Sequence, residues 1–152
     1  MSREEYVELV QDLCEELELG EAGELLDRGL LQVGDTLVGI EYLEERDGIR
    51  LLAGLRENEE GIDRNAMHEL LLEANLGNTS FYPTFSVRPE DGHPVVAYHI
   101  RALALLEEEV DLAFVLTEQL LPLLDEWKTR LRNALDSASS GAEPLPFPGT
   151  LT

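Results

Sequence analysis

Three histidines, one cysteine and a large excess of carboxylates are the side chains in this sequence that could do chemistry. Metal ligation by His or Cys is ordinarily announced by close spacing. His68, His93 and His99 read as lying on a helix, a turn and a strand, with no His-x-x-x-His or Cys-x-x-Cys among them, so no metal site is expected. Cys14 falls beside the apolar face of a helical pattern, where a free thiol behaves as a small hydrophobe. Its use as a nucleophile would need a base such as His68 delivered to it, and nothing in the sequence does so. A lone cysteine also cannot form an internal disulfide. The acidic runs Glu15-Glu16, Glu57 to Glu60 and Glu107-Glu108-Glu109 have polar surroundings, whereas a general acid/base pair needs one carboxyl in an apolar pocket. No glycine-rich phosphate loop or Gly-x-Ser-x-Gly elbow is present. The expectation is a protein with no catalytic residues, no metal and no cofactor.

The charge narrows the partners. Of 152 residues, 32 are Asp or Glu and 11 are Lys or Arg, a formal charge of −21. A charge of that sign repels a phosphate backbone, and no basic stripe interrupts it, so nucleic acid is not an expected partner. Anionic membrane surfaces are disfavoured for the same reason. No run approaches the roughly 18 apolar residues of a membrane span, and Met1-Ser2-Arg3-Glu4-Glu5-Tyr6 lacks the layout of a signal peptide. A cytoplasmic location is expected. At 43% apolar, a chain of this length can close one core.

The elements that would position side chains follow from period and punctuation. Ser2 and Glu5 form a capping box ahead of Tyr6, Val10, Leu13 and Leu17, predicting a helix from 3 to about 18. Gly20, Gly23 and Gly29 then interrupt, leaving an irregular connection or a short strand near Leu30 to Val33. Val38, Ile40 and Tyr42 alternate into Asp47-Gly48, read as two positive-φ turn positions, and Ile49, Leu51, Ala53 and Leu55 alternate back as a hairpin. After the polar loop 56–62, Asp63 caps a second helix carrying Met67, Leu70, Leu71 and Ala74 on one face, ended by Gly77-Asn78. A second hairpin places Phe81, Phe85 and Val87 before a turn at Pro89 to Gly92, and Val96, Tyr98 and Ile100 after it. Pro83 and Pro94 belong at strand starts or on an edge. From about Glu107 a long helix is predicted with Val110, Phe114, Thr117, Leu121, Leu124 and Leu131 as its seam and a kink at Pro122. Residues 1–136 form the expected domain, and 137–152, rich in Pro and Ser, a flexible tail.

Apolar side chains exceed what one core uses. Leu72 and Leu76 lie off the stripe of the second helix, so a second face wants a partner unless a loop covers Leu72. Leu37, Leu43 and Leu52 occupy the alternate face of the first hairpin, which is then apolar on both sides unless helices cover both.

With Leu71-Leu72-Glu73-Ala74-Asn75-Leu76-Gly77 closing the second helix, the order helix, strands, helix, hairpin, long helix resembles the class I type III secretion chaperones of the Tir chaperone (CesT) family. The resemblance spans about residues 5–131. Phe85, Gly92, Val96 and Trp127 are similar to weaker family positions. Pro122, the stretch Glu18 to Leu30 and the proline-rich tail depart from the pattern. The resemblance implies an α+β fold of order α-β-β-β-α-β-β-α, with an antiparallel sheet flanked by helices. It implies a homodimer formed through Met67, Leu70, Leu71, Leu72, Leu76 and Phe81, which binds the N-terminal segment of a secreted effector in extended form. Leu13, Leu17, Val38, Ile40, Leu51 and Leu55 are the expected effector-groove residues. The alternative is a non-enzymatic regulatory domain of the same fold that sequesters a protein partner.

Overall fold

The computed structural model describes residues 1–55, 63–77 and 83–139, with side chains of 135–139 excepted. The polar stretch 56–62, Asn78, Phe81 and the tail beyond Ser139 lie outside the described residues.

Helix α1, Arg3–Leu17, starts where the capping box predicts. Ser2 Oγ accepts from the Glu5 N–H at 3.1 Å, and the Glu5 carboxylate accepts from the Ser2 N–H at 2.9 Å. The bonds from Ser2 hold the Glu5 carboxyl below its ordinary range. Tyr6, Val10, Leu13 and Cys14 face inward. A short helix follows that the glycines had concealed: α2, Ala22–Arg28, anchored by buried Leu25 and closed by left-handed Gly29, whose N–H bonds the Leu25 carbonyl at 2.8 Å. Seven residues span two turns, too few for a hydrophobic period to show.

Five antiparallel strands form the sheet: β1 (Leu30–Val33), β2 (Thr36–Leu43), β3 (Gly48–Gly54), β4 (Pro83–Val87) and β5 (Pro94–Arg101), in the order β1-β2-β3-β5-β4. The first hairpin turns differently from the expectation. A short 3₁₀ turn, Glu44–Arg46, precedes Asp47, which alone takes the left-handed conformation at φ 45°. Gly48 is instead the first residue of β3, between Leu43 and Arg101, and a Cβ there would meet the Ile100 carbonyl oxygen at 2.8 Å. Glycine is required by close approach rather than by φ. Pro83 and Pro94 begin their strands, as their missing N–H groups demand.

Between the hairpins runs α3, Arg64–Gly77, with the Asp63 carboxylate accepting from the N–H groups of Asn65 and Ala66 at 3.1 and 3.2 Å. After β5 come α4 (Ala102–Leu106), α5 (Leu112–Phe114), a π-helical segment (Val115–Leu120) and α6 (Leu121–Ser139). The wide turns sit directly before Pro122, where a proline deletes one hydrogen bond and crowds the preceding turn. They also shift the helix phase. The inward residues are Leu112, Leu116, Leu120, Leu124, Trp127 and Leu131, while Phe114, expected in the seam, is 52% exposed.

The first and last helices, α1 and α6, lie on one face of the sheet. Val38, Ile40 and Tyr42 share a face by alternation, and the strand register carries that face through Leu51 and Tyr98 and through Ala53, Val96 and Phe85. Tyr6 of α1 stacks on Tyr42 at 5.4 Å, and Trp127 of α6 packs on Phe85 at 4.5 Å, so the first and last helices cover the same side. This excludes the alternative in which they divide the two faces.

Candidate functional site

The chemistry-bearing side chains do not converge. Among the described residues no group of three or more His, Cys, Asp and Glu is placed to hold a metal ion. Cys14 is buried, and burial pushes its thiol up, away from thiolate character. His99 lies on the outer sheet face beside Arg50. Burial, then the charges of Arg50 and Arg46, holds it below the usual histidine range.

Uncovered apolar surface is what the fold offers instead. On α3, Met67 and Leu71 enter the core beside β4 and α6, whereas Leu72 and Leu76, one turn apart, are 68% and 89% exposed. Leu70 is half-buried. The helix therefore has two apolar faces, of which the chain itself uses one. On the outer face of the sheet, the register puts Leu30, Gly39, Leu52, Ala97 and Thr84 in one row. Leu37, next along on that face, is 58% exposed. Leu103, Leu106 and Phe114 form further exposed apolar positions on α4 and α5. Leu103 and Leu106 lie in a stretch, 102–106, to which the sequence reading gave no element, and Phe114 was expected in the seam of the last helix. The signal is a pentapeptide with Ala102 and Leu105 on one helical side and Leu103 and Leu106 on the other.

The expected groove residues are placed deeper than the surface. Leu13, Val38, Ile40, Leu51 and Leu55 belong to the core, and of the six only Leu17 is half-exposed.

The two sheet edges differ. At β4 the Asn75 side chain of α3 donates to the Phe85 carbonyl and accepts from the Phe85 N–H, both at 2.8 Å, so an amide side chain stands where a neighbouring strand would. Pro83 contributes no N–H. This also explains why Asn75 and Phe85 belong together: one closes the backbone of the other. At β1 the Gly29 carbonyl accepts from Ile40 N–H toward β2, so by alternation Leu30 and Gln32 direct their backbone groups outward. Both residues are exposed, and no described residue hydrogen-bonds those groups.

The domain is thus α+β, with its first and last helices on one sheet face, one sealed edge, one open edge and leucines left outside. No family model matches the chain, and no curated protein sequence matches it. The fold is shared with a chain in the solved structure of the HopA1-SchA chaperone-effector complex, at a TM-score of 0.52 and 16% identity over 82% of this chain and 93% of that one. The five-stranded antiparallel α+β fold is thus that of a chain in a chaperone-effector assembly. No helix among the described residues is long and apolar enough to cross a membrane.

Proposed function

We propose that this protein is a cytoplasmic, non-enzymatic type III secretion chaperone that binds the N-terminal segment of a secreted effector and keeps it soluble and export-competent. The observation that carries the reading is apolar surface left uncovered at several places on a fold found in a chaperone-effector complex. An unfolded segment can lay apolar side chains on such surface and add a strand to a sheet edge. Here β1 is the edge with free backbone groups, and Leu30 and Leu37 stand on the sheet face beside it. Leu72 and Leu76 on α3 serve a homodimer, with Leu70 at its margin, while Met67 and Leu71 brace the helix from within. Phe81 remains part of this interface by resemblance.

The test is co-expression with the effector candidate encoded beside this protein, followed by limited proteolysis of the purified complex. A protected fragment from the effector's N-terminus supports the reading. Binding only to an intact folded regulator transfers it to sequestration.

A further inference from the structure

On the outer sheet face, at the end where β3 begins, two adjoining depressions of about 520 and 170 Å³ share Leu43, Arg46 and His99 in their walls. The register sets Leu43, Gly48 and Arg101 in one row across that face and Glu41, Arg50 and His99 in the next. Gly48 puts no side chain between Leu43 and Arg101, so the smaller depression opens there, and its lining is mainly apolar. Arg46, Arg50 and Arg101 bring three of the chain's 11 Lys and Arg residues to this one place. Glu44 and Glu45 also line the larger depression, and Arg50 pairs with Glu41. These carboxylates offset the charge but leave donors over. The Arg50 Nε–H is shut off from solvent and meets no acceptor. The guanidinium groups of Arg46 and Arg101 make no ion pair among the described residues. A buried donor without an acceptor is a standing cost that a bound acceptor removes. Burial, then the charges of Arg50 and Arg46 against that of Glu41, hold His99 below its usual range. The field at its ring is therefore cationic, in a chain whose net charge is −21.

We propose that this depression binds a carboxylate carried on a small apolar group, with the carboxylate among Arg46, Arg50 and Arg101 and the apolar group over Gly48 beside Leu43. A carboxylate offers the planar pair of acceptors that a guanidinium fork matches. Glu41, Glu44 and Glu45 oppose a second negative charge, which selects a singly charged acid over phosphate. The apolar floor selects the other end of the acid. A free carboxylic acid and the C-terminal residue of a peptide present this same chemistry. Neither α3 nor the β1 edge takes part, so the site stands independently of the chaperone reading.

The experiment is an NMR titration of the full chain, read at the His99 imidazole Cε1–H. The probes are isocaproate, its neutral amide, inorganic phosphate, and acetyl-glycyl-leucine with a free or an amidated C-terminus. Isocaproate is expected to shift His99 saturably and to raise its pKa, because a negative charge nearby favours the imidazolium. The amide and phosphate are expected to do neither. The double variant Arg46→Gln, Arg101→Gln, at two exposed positions, should keep the remaining spectrum and bind isocaproate about tenfold more weakly. Tighter binding of the free-ended peptide than of isocaproate assigns the site to a chain terminus, and the converse assigns it to a small acid. No shift at His99, equal binding of the amide or of phosphate, or an unaffected double variant would overturn the proposal.

Discussion

Asn75 carries the most specific structural role of any single side chain here, because its amide matches one donor and one acceptor on Phe85 at once. Asn75→Ala should lower stability by about 1–2 kcal/mol in urea unfolding, since two backbone groups lose their partner. Asn75→Asp should be worse than Ala at neutral pH, because it keeps an acceptor for the Phe85 N–H but sets a carboxylate against the Phe85 carbonyl. The turn between β4 and β5 supplies a pH test. Asp91 accepts from Arg88 and from the His93 N–H, and the Arg88 bond first, then the His93 bond, holds its carboxyl far below the ordinary range. A folded pKa below the unfolded one contributes stability above the unfolded value, near 3.9, and loses it as pH falls toward the folded one. Asp91→Asn should therefore lower the thermal midpoint at neutral pH, and the gap from wild type should close as pH drops below about 4. Asn75 was legible in the sequence only as part of a familiar heptapeptide. Its hydrogen bonds join residues ten apart, and no spacing rule links a helix end to the middle of the next strand.

Elements were legible where they were long and had one period. Both hairpins, α1 and α3 follow directly from alternation or from a cap plus an apolar stripe, and Trp127, 2% exposed, lies inward as its neighbours imply. The two short helices α2 and α4 were not legible, being too brief for a period. The seam of the last helix was misphased at Phe114 because a π-helical segment breaks the 3.6 spacing on which the reading depended. The same physics limits the candidate site. Alternation says which residues share a sheet face, and where both faces are apolar it does not say which one the helices take. Buried Leu51 and exposed Leu37 illustrate the result. Leu51→Asp should abolish cooperative unfolding or cost more than about 3 kcal/mol, as an unpaired charge in a core does. Leu37→Asp should leave circular dichroism unchanged and weaken effector binding measured by calorimetry. On α3, Leu72→Asp should leave the fold within about 0.5 kcal/mol of wild type as an isolated chain, because the site is exposed. By light scattering at roughly tens of micromolar, wild type should be a dimer and the variant a monomer. A monomeric wild type removes Leu72 and Leu76 from the interface.

For the whole molecule, on the proposed chaperone reading, a net charge of −21 and several apolar patches should act on different stages of binding. The field governs approach, so salt should slow association while changing affinity modestly. Apolar contact governs the bound state, and calorimetry should show a large negative heat-capacity change with an unfavourable ordering entropy. A positive or negligible heat-capacity change would place the binding energy elsewhere. The unequal edges of the sheet bear on how many copies can join. A contact from β1 of one copy to β4 of the next would repeat without end and grow a fibre, but Asn75 already occupies the middle of that acceptor. β1 against β1 is self-complementary and taken alone finishes at two copies, so the β4 seal removes the one edge-to-edge contact that is open-ended by itself. On the proposed chaperone reading, one asparagine thereby keeps the strand edge at β4 from taking up a second copy in place of a client.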